Sequence, residues 1–143
     1  MAMAGLHPKK TLVPVDFSEL SLRALQSAAT IAGDQPIHAV HVLPEMSNVD
    51  PGVLYGTVTD ATRIANLEKH LTKVLKEHDL GHIQAHALIG DAGRQLAKFA
   101  EREQIDLIVI PSHGHGFFKH MLLGSVAERV VRLAHCPVLV LRE

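Results

Sequence analysis

Apolar positions along the chain come alternately as short unbroken blocks and as stripes at helical spacing. Thr11-Leu12-Val13-Pro14-Val15 is a block that stops at Asp16, and it reads as a first strand. From Ser18 to Ile31 the stripe Leu20, Ala24, Leu25, Ala28 and Ala29 predicts a helix, because residues three and four apart share one face. Ser18 or Asp16 is placed to cap it and Gly33 to close it. Ile37 to Leu43 reads as a second strand, ended by Pro44. A long loop follows, about Glu45 to Thr59, with Pro51, Gly52 and Gly56; long ordered loops are often functional. Asp60 to His78 repeats Ile64, Leu67, Leu71, Val74 and Leu75 at helical spacing. Gly81 precedes a third strand, Ile83 to Ile89, ended by Gly90. Asp91 opens a helix to about Glu103, with Leu96, Phe99 and Ala100 inward. Ile105 to Ile110 has the pattern of a strand buried on both faces. Pro111 to Leu123 reads as a loop. A last helix starts near Gly124-Ser125, with Val126, Val130, Val131 and Ala134 on its inner side, and Pro137 stops it. Val138 to Leu141 is the fifth strand.

Strands and helices that alternate in this way build a parallel sheet with helices on both faces, because each parallel crossover needs a covering element. Right-handed crossovers leave the strand orders 3-2-1-4-5 and 2-1-3-4-5. No linker, low-complexity tract or internal repeat divides the chain. Its 143 residues suit one domain, expected over residues 9–143 behind a disordered tail, residues 1–8.

Composition narrows the function classes. The 14 basic and 15 acidic residues nearly balance, so neither nucleic acid nor an acidic membrane is the expected partner. The single cysteine, Cys136, excludes an internal disulfide and points to no oxidising compartment. Met1 to Lys10 is too short and polar for a secretory leader, and no apolar run approaches the roughly 20 residues of a membrane span. The expected location is the cytoplasm.

Ligands of such sheets sit beyond the carboxyl ends of the strands, where the strand order reverses. In a 3-2-1-4-5 order, Pro14-Val15-Asp16-Phe17-Ser18 and Pro111-Ser112-His113-Gly114-His115-Gly116 meet there. Asp16, where a buried strand first reaches solvent, is placed to accept hydrogen bonds from a ribose or hold a metal; its plainer role is a helix cap. Gly114 and Gly116 leave backbone amides uncovered. Gly124-Ser125 opens a helix, whose first amides favour phosphate, and the Ser125 hydroxyl adds a donor or a simple cap.

Ser112-His113-Gly114, nine residues, then Gly124-Ser125-Val126-Ala127-Glu128-Arg129-Val130 resembles the nucleotide signature of universal stress proteins. The flanks agree: Val13-Pro14-Val15-Asp16-Phe17-Ser18-Glu19, His41-Val42-Leu43-Pro44 and Cys136-Pro137-Val138-Leu139-Val140. The resemblance runs from about Lys9 to Arg142. It implies an adenine nucleotide alpha hydrolase-like fold, three layers with strand order 3-2-1-4-5, and an adenine nucleotide, ATP with Mg²⁺, as ligand. It places Asp16 and Val15 against ribose and adenine, and Val42 on the adenine. His113 and Gly114 would approach ribose and phosphates, and Gly124, Ser125 and Val126 would bind phosphates. Pro14, Ile110, Pro111 and Ala127 complete the expected site. Pro111 departs from the family pattern, which has glycine there. Proline brings a ring and lacks an amide hydrogen, so a ligand that needs either the space or the donor binds less well.

The family commonly dimerises through its last strand, and Val138 to Leu141 is a bare apolar edge that pairing would cover. His113, His115 and His120 share one loop region but match no structural zinc spacing, so no resident metal is expected. Lys119 stands in the same loop, either solvated or reaching a terminal phosphate. No Gly-x-x-x-x-Gly-Lys-Ser/Thr loop and no general base beside the phosphate loop is apparent, so any hydrolysis is expected to be slow and no catalytic set is assigned. Cys136 reads as a packed residue. A receiver domain has similar length, but Asp16 stands alone and no lysine follows Leu141. The alternatives are a nucleotide-free dimeric interaction module of the same family and a slow ATPase.

Overall fold

The computed structural model describes residues 6–47, 49–114 and 122–142. Its elements alternate as the apolar blocks and stripes require. They are β1 (Thr11–Pro14), α1 (Glu19–Ala32), β2 (Ile37–Leu43), α2 (Pro51–Leu54), α3 (Asp60–Glu77), β3 (Gln84–Ile89), α4 (Ala92–Arg102), β4 (Leu107–Pro111), α5 (Ser125–Leu133) and β5 (Val138–Leu141). All pairings are parallel, in the order β3-β2-β1-β4-β5. Of the two orders compatible with the sequence, this is the one the resemblance implied.

The central strands bury both faces, which divides the core in two. Val13, Ala39, Leu107 and Val109 pack beneath α1 and α3, against Leu25, Ala28, Leu71 and Leu75. Leu12, Val40, Ile108 and Ile110 pack beneath α4 and α5, against Leu96, Phe99, Ala127 and Val130. Period-2 alternation along each strand sends successive side chains to opposite layers, so each block serves two cores.

Capping follows local chemistry. Ser18, Thr59 and Asp91 accept from the third amide beyond them at the starts of α1, α3 and α4. Gly33, at φ 58°, closes α1 by donating its N–H to Ala29. Helices α3 and α4 turn instead through Asp79 (φ 59°) and Gln104 (φ 57°), two non-glycine residues in the left-handed region. The backbone bonds Leu80 N–H to Leu75 O and Ile105 N–H to Ala100 O stabilise those turns. At the amino end of the sheet, Asp106 accepts from the amides of Lys9 and Lys10 at 2.8 and 2.9 Å, tying β1 to β4.

Three sequence expectations shift. Pro111 is the buried last residue of β4, paired with Leu141, and not the start of a loop. A proline is tolerated there because β1 no longer pairs with β4 at that level. On α5, Ala127 and Val130 are buried, but Val126 and Val131 are 38% and 45% exposed. A helix of only nine residues against a sheet buries a narrow stripe, so apolar neighbours on its flanks stay in contact with water. The short helix α2 lies within the long middle loop, where no helix was expected. Among the described residues, no helix is long and apolar enough to cross a membrane.

Candidate functional site

The chain opens a crevice where strand order reverses, between β1 and β4. The amides of Thr11 and Val15 donate to Pro36 and Val40 on the β2 side, so strand alternation points the amide of residue 14 toward β4. That residue is Pro14, which has no N–H. The β1–β4 ladder accordingly stops at Leu12↔Ile108, while the β1–β2 ladder continues to Pro14↔Val40. The separated carboxyl ends leave a cavity of about 370 Å³. All twelve expected site residues line it: Pro14, Val15, Asp16, Val42, Ile110, Pro111, His113, Gly114, Gly124, Ser125, Val126 and Ala127. Val40, His41, Ala92, Leu96 and Ser112 also line it and were not expected. Ala92 and Leu96 belong to the inner face of α4, a face legible in the sequence; that it also floors the crevice depends on how α4 packs.

Three features shape the wall. First, Asp16 is held by its neighbours. Its Oδ1 accepts from the N–H of Ser18 at 2.9 Å and from the Ser18 hydroxyl at 2.5 Å, while Ser18 is the residue that caps α1. Phe17 between them adopts φ 64°, a left-handed geometry that costs about 1–2 kcal/mol in an L-residue. Strain of this kind clusters at functional sites. Second, Gly114 abuts the carboxylate. A Cβ built on Gly114 would collide with Asp16 Oδ2, the tip of that side chain, so glycine lets the carboxylate keep this position against the second loop.

Third, the halves of the glycine-serine signature are clasped together. The N–H of Gly124 donates to the carbonyl of Ser112 at 2.6 Å. A Cβ on Gly124 would lie 3.4 Å from both Ser112 O and His113 Cα, in ordinary van der Waals contact, so the two segments are closely packed and a long side chain at 124 would have to enter the crevice. Ser112 is buried, and its hydroxyl lies 3.1 Å from His113 Nδ1. Since the Gly124 amide is committed to Ser112, the orphan amides at the start of α5 are those of Ser125, Val126 and Ala127. No side chain among the described residues caps them, unlike at α1, α3 and α4.

The β2 wall offers a further pair of backbone groups. Leu43 accepts from Gly90 on the β3 side, so alternation turns the N–H and C=O of Val42 toward the side of β1. Beyond Pro14, β1 no longer pairs there, and Val42 N–H has no backbone acceptor among the described residues. The carbonyl of Val15, next in the ladder, instead accepts from His41 Nδ1 at 2.6 Å.

His115, Gly116, Lys119 and His120 lie outside the described residues, as do residues 1–5 of the expected tail. Among the described residues, no group of three His, Cys, Asp or Glu is placed to hold a metal ion. Cys136 lies half-buried behind α5, and burial raises its thiol pKa, with the Asp106 carboxylate adding to the effect. A thiol so perturbed is a poor nucleophile.

A doubly wound parallel sheet with a glycine-lined crevice and an uncapped helix start at its switch point defines a class: small α/β domains that take a ligand at the strand ends. Residues 8–142 match the model of the universal stress protein family. The chain is 35% identical to universal stress protein MJ0531 of Methanocaldococcus jannaschii, over 94% of this chain and 82% of the relative. It is 32% identical to universal stress protein G of Escherichia coli O157:H7, over 94% and 99%. The chain belongs to the universal stress protein family. Its fold superposes on the solved structure of MJ0577 with a TM-score of 0.79 at 27% identity, covering 96% and 98% of the two chains. It also matches a universal stress protein in complex with cAMP, with a TM-score of 0.63 at 22% identity and coverage of 95% and 98%. A family protein from Arabidopsis thaliana with AMP bound gives 0.61 at 20%, with coverage of 95% and 92%.

Proposed function

We propose that the crevice binds an adenine nucleotide, with ATP as the physiological ligand, and that the nucleotide sets the state of a dimeric stress-response module. The observation that carries this reading is the uncapped start of α5 clasped against Ser112-His113-Gly114. Three unpartnered amides at a helix N-terminus favour an anion, and the Ser125 hydroxyl adds a fourth donor. Asp16, held across the crevice by Ser18 and faced by Gly114, is placed for ribose hydroxyls. The N–H and C=O of Val42, which have no backbone partner on the β1 side among the described residues, match the N1 acceptor and N6 donor of adenine. Guanine presents the reverse order. A volume of about 370 Å³ falls within the range of small-molecule sites. Solved relatives carrying AMP and cAMP support the same ligand class. Magnesium, when it enters, comes with the phosphates, because dedicated protein cages for it are uncommon. A nucleotide-binding domain with one thiol suits the reducing cytoplasm.

Calorimetry on nucleotide-stripped protein tests this, with ATP, AMP and cAMP, with and without Mg²⁺, beside Gly124→Glu. Binding by the wild type and not by Gly124→Glu is the expected result. No heat at saturating ATP would leave the second reading, a nucleotide-free interaction module. That reading draws on Pro111, whose ring occupies the crevice wall where the family has glycine.

The dimer is proposed through β5. Its four residues are only half-buried, and Val131 and Leu133 on α5 are 45% and 46% exposed. Pro137 and Leu141 use their carbonyls toward β4, so the amides of Val138 and Val140 face outward. An apolar edge with free amides is completed by a second copy about a two-fold axis.

A further inference from the structure

The geometry points to His41 as the residue that exposes the base-reading edge of the crevice. By donating its Nδ1–H to Val15 it takes the acceptor that Val42 N–H would otherwise use. This role rests on the nucleotide reading above and adds a positioning residue to it.

In a parallel ladder, each residue of one strand receives one bond from its partner strand and returns another two residues on. Val15 N–H donates to Val40 O at 2.8 Å, so the next rung would run from Val42 N–H to Val15 O. That rung is replaced. Val15 O accepts from His41 Nδ1 at 2.6 Å, and since a carbonyl only accepts, the proton of the imidazole sits on Nδ1. The imidazole is fixed by packing. Phe17 packs against it at 5.1 Å with the rings tilted by 48°, and Phe17 also meets His70 of α3 at 5.0 Å. Phe17 is therefore a wedge between two histidines on the α1–α3 face, while Val42 packs with the core on the opposite face. The Val15 carbonyl is engaged from the first face, and Val42 N–H is left without its rung on the β1 side, at the crevice. The next residue after Val15 is Asp16, so one imidazole sets both the base edge and the start of the turn that carries the carboxylate.

Two arms test this. Amide hydrogen exchange of ligand-free protein reads Val42 directly. Its N–H is expected to exchange at least about tenfold faster than those of Val40 and His41. His41→Phe keeps an aromatic ring against Phe17 but has no donor, so the Val42 rung should close and its exchange slow. His41→Asn, whose amide nitrogen sits where Nδ1 does, should restore fast exchange. Calorimetry with ATP and GTP then reads discrimination. The ATP-to-GTP affinity ratio is expected to fall about tenfold in His41→Phe, the scale of one hydrogen bond, and to recover in His41→Asn. A Val42 amide as protected as its neighbours in the wild type overturns the inference, and that measurement needs no variant to fold. An equal loss of ATP and GTP binding in His41→Phe also overturns it, because that marks a merely structural residue. If the wild type binds no nucleotide, the nucleotide reading fails, while the exchange arm still decides whether His41 holds the edge open.

Discussion

At the scale of single residues, the crevice depends on what certain side chains lack. Pro14 lacks the N–H that would zip β1 to β4, and Gly114 lacks the Cβ that would push Asp16 away. Gly114→Ala places its methyl against the tip of a side chain that can rotate, so the fold should tolerate it. The expected outcome is a change in stability under about 1 kcal/mol with ATP affinity reduced about tenfold or more. Urea denaturation and calorimetry on the same variant separate the two. Elsewhere a residue carries a group it does not use. Thr11 is fully buried in β1, and its hydroxyl has no hydrogen-bond partner among the described residues. Thr11→Val keeps the shape and removes the unpaired polar atom, so it should raise stability by about 1 kcal/mol. The urea midpoint should rise with an unchanged m-value; a fall would mean that the hydroxyl is satisfied in solution.

At the scale of elements, the joint between β2 and β3 is sensitive to acid. His38 Nδ1 and His86 Nε2 lie 2.9 Å apart, with one proton between them, against the ring of Phe99. Burial lowers both pKa values. For His38 the neighbouring His86 and Lys10 lower it further and Glu103 opposes. For His86, Glu68 and Glu103 oppose the burial and Arg102 adds to it. A histidine whose folded pKa lies below its unfolded value near 6.5 binds fewer protons when folded. Its contribution to stability is whole above about pH 6.5 and is lost as pH falls through the lowered folded value. The urea midpoint of the wild type should therefore drop from pH 7.5 to 5.5, and His86→Leu should show a shallower drop. Equal slopes would sink this account. The link between α4 and α5 is of a different kind. Asp91 caps α4 through one oxygen and pairs with Arg129 of α5 through the other, at 3.0 Å. A Cβ on Gly93 would press on the Arg129 side chain at 2.5 Å. Both partners of the pair are half exposed, so close packing, more than charge, joins these helices.

At the scale of the whole molecule, ligand and partner should act as separate stabilisers. Saturating nucleotide, at about 100 times its Kd, adds about 2.7 kcal/mol to the folded state. For a domain of this size the melting temperature should rise by several degrees, at roughly 2–4 °C per kcal/mol. The rise should be absent in Gly124→Glu. Val140→Pro removes an outward amide of β5 while leaving the carbonyls that serve β4. It should yield monomer in sedimentation equilibrium and retain nucleotide binding, because the crevice lies on the other side of β4. A variant that remains dimeric would move the interface away from this edge.

The order of the elements apart from α2, the double burial of β4 and the two loops that meet at the site were legible in the sequence. Those features rest on local rules: period 2 or 3.6, caps such as Ser18 and Asp91, and short loops that leave few crossovers. The glycine-serine signature was legible for the same reason, since a close approach restricts which residues fit. The rest depends on contacts that form only in the folded sheet. Which of Asp16 and Ser18 caps α1 turned on Ser18 taking the cap, with Gly114 arriving opposite the Asp16 carboxylate. The helix ends at Asp79 and Gln104 have no glycine to announce them, and packing imposes their left-handed turns. The role of His41 depends on where β1 stops pairing, and the His38–His86 contact is a diagonal between strands whose register no single segment encodes. Such contacts join residues far apart in the chain, so they exist only once the sheet has chosen its order.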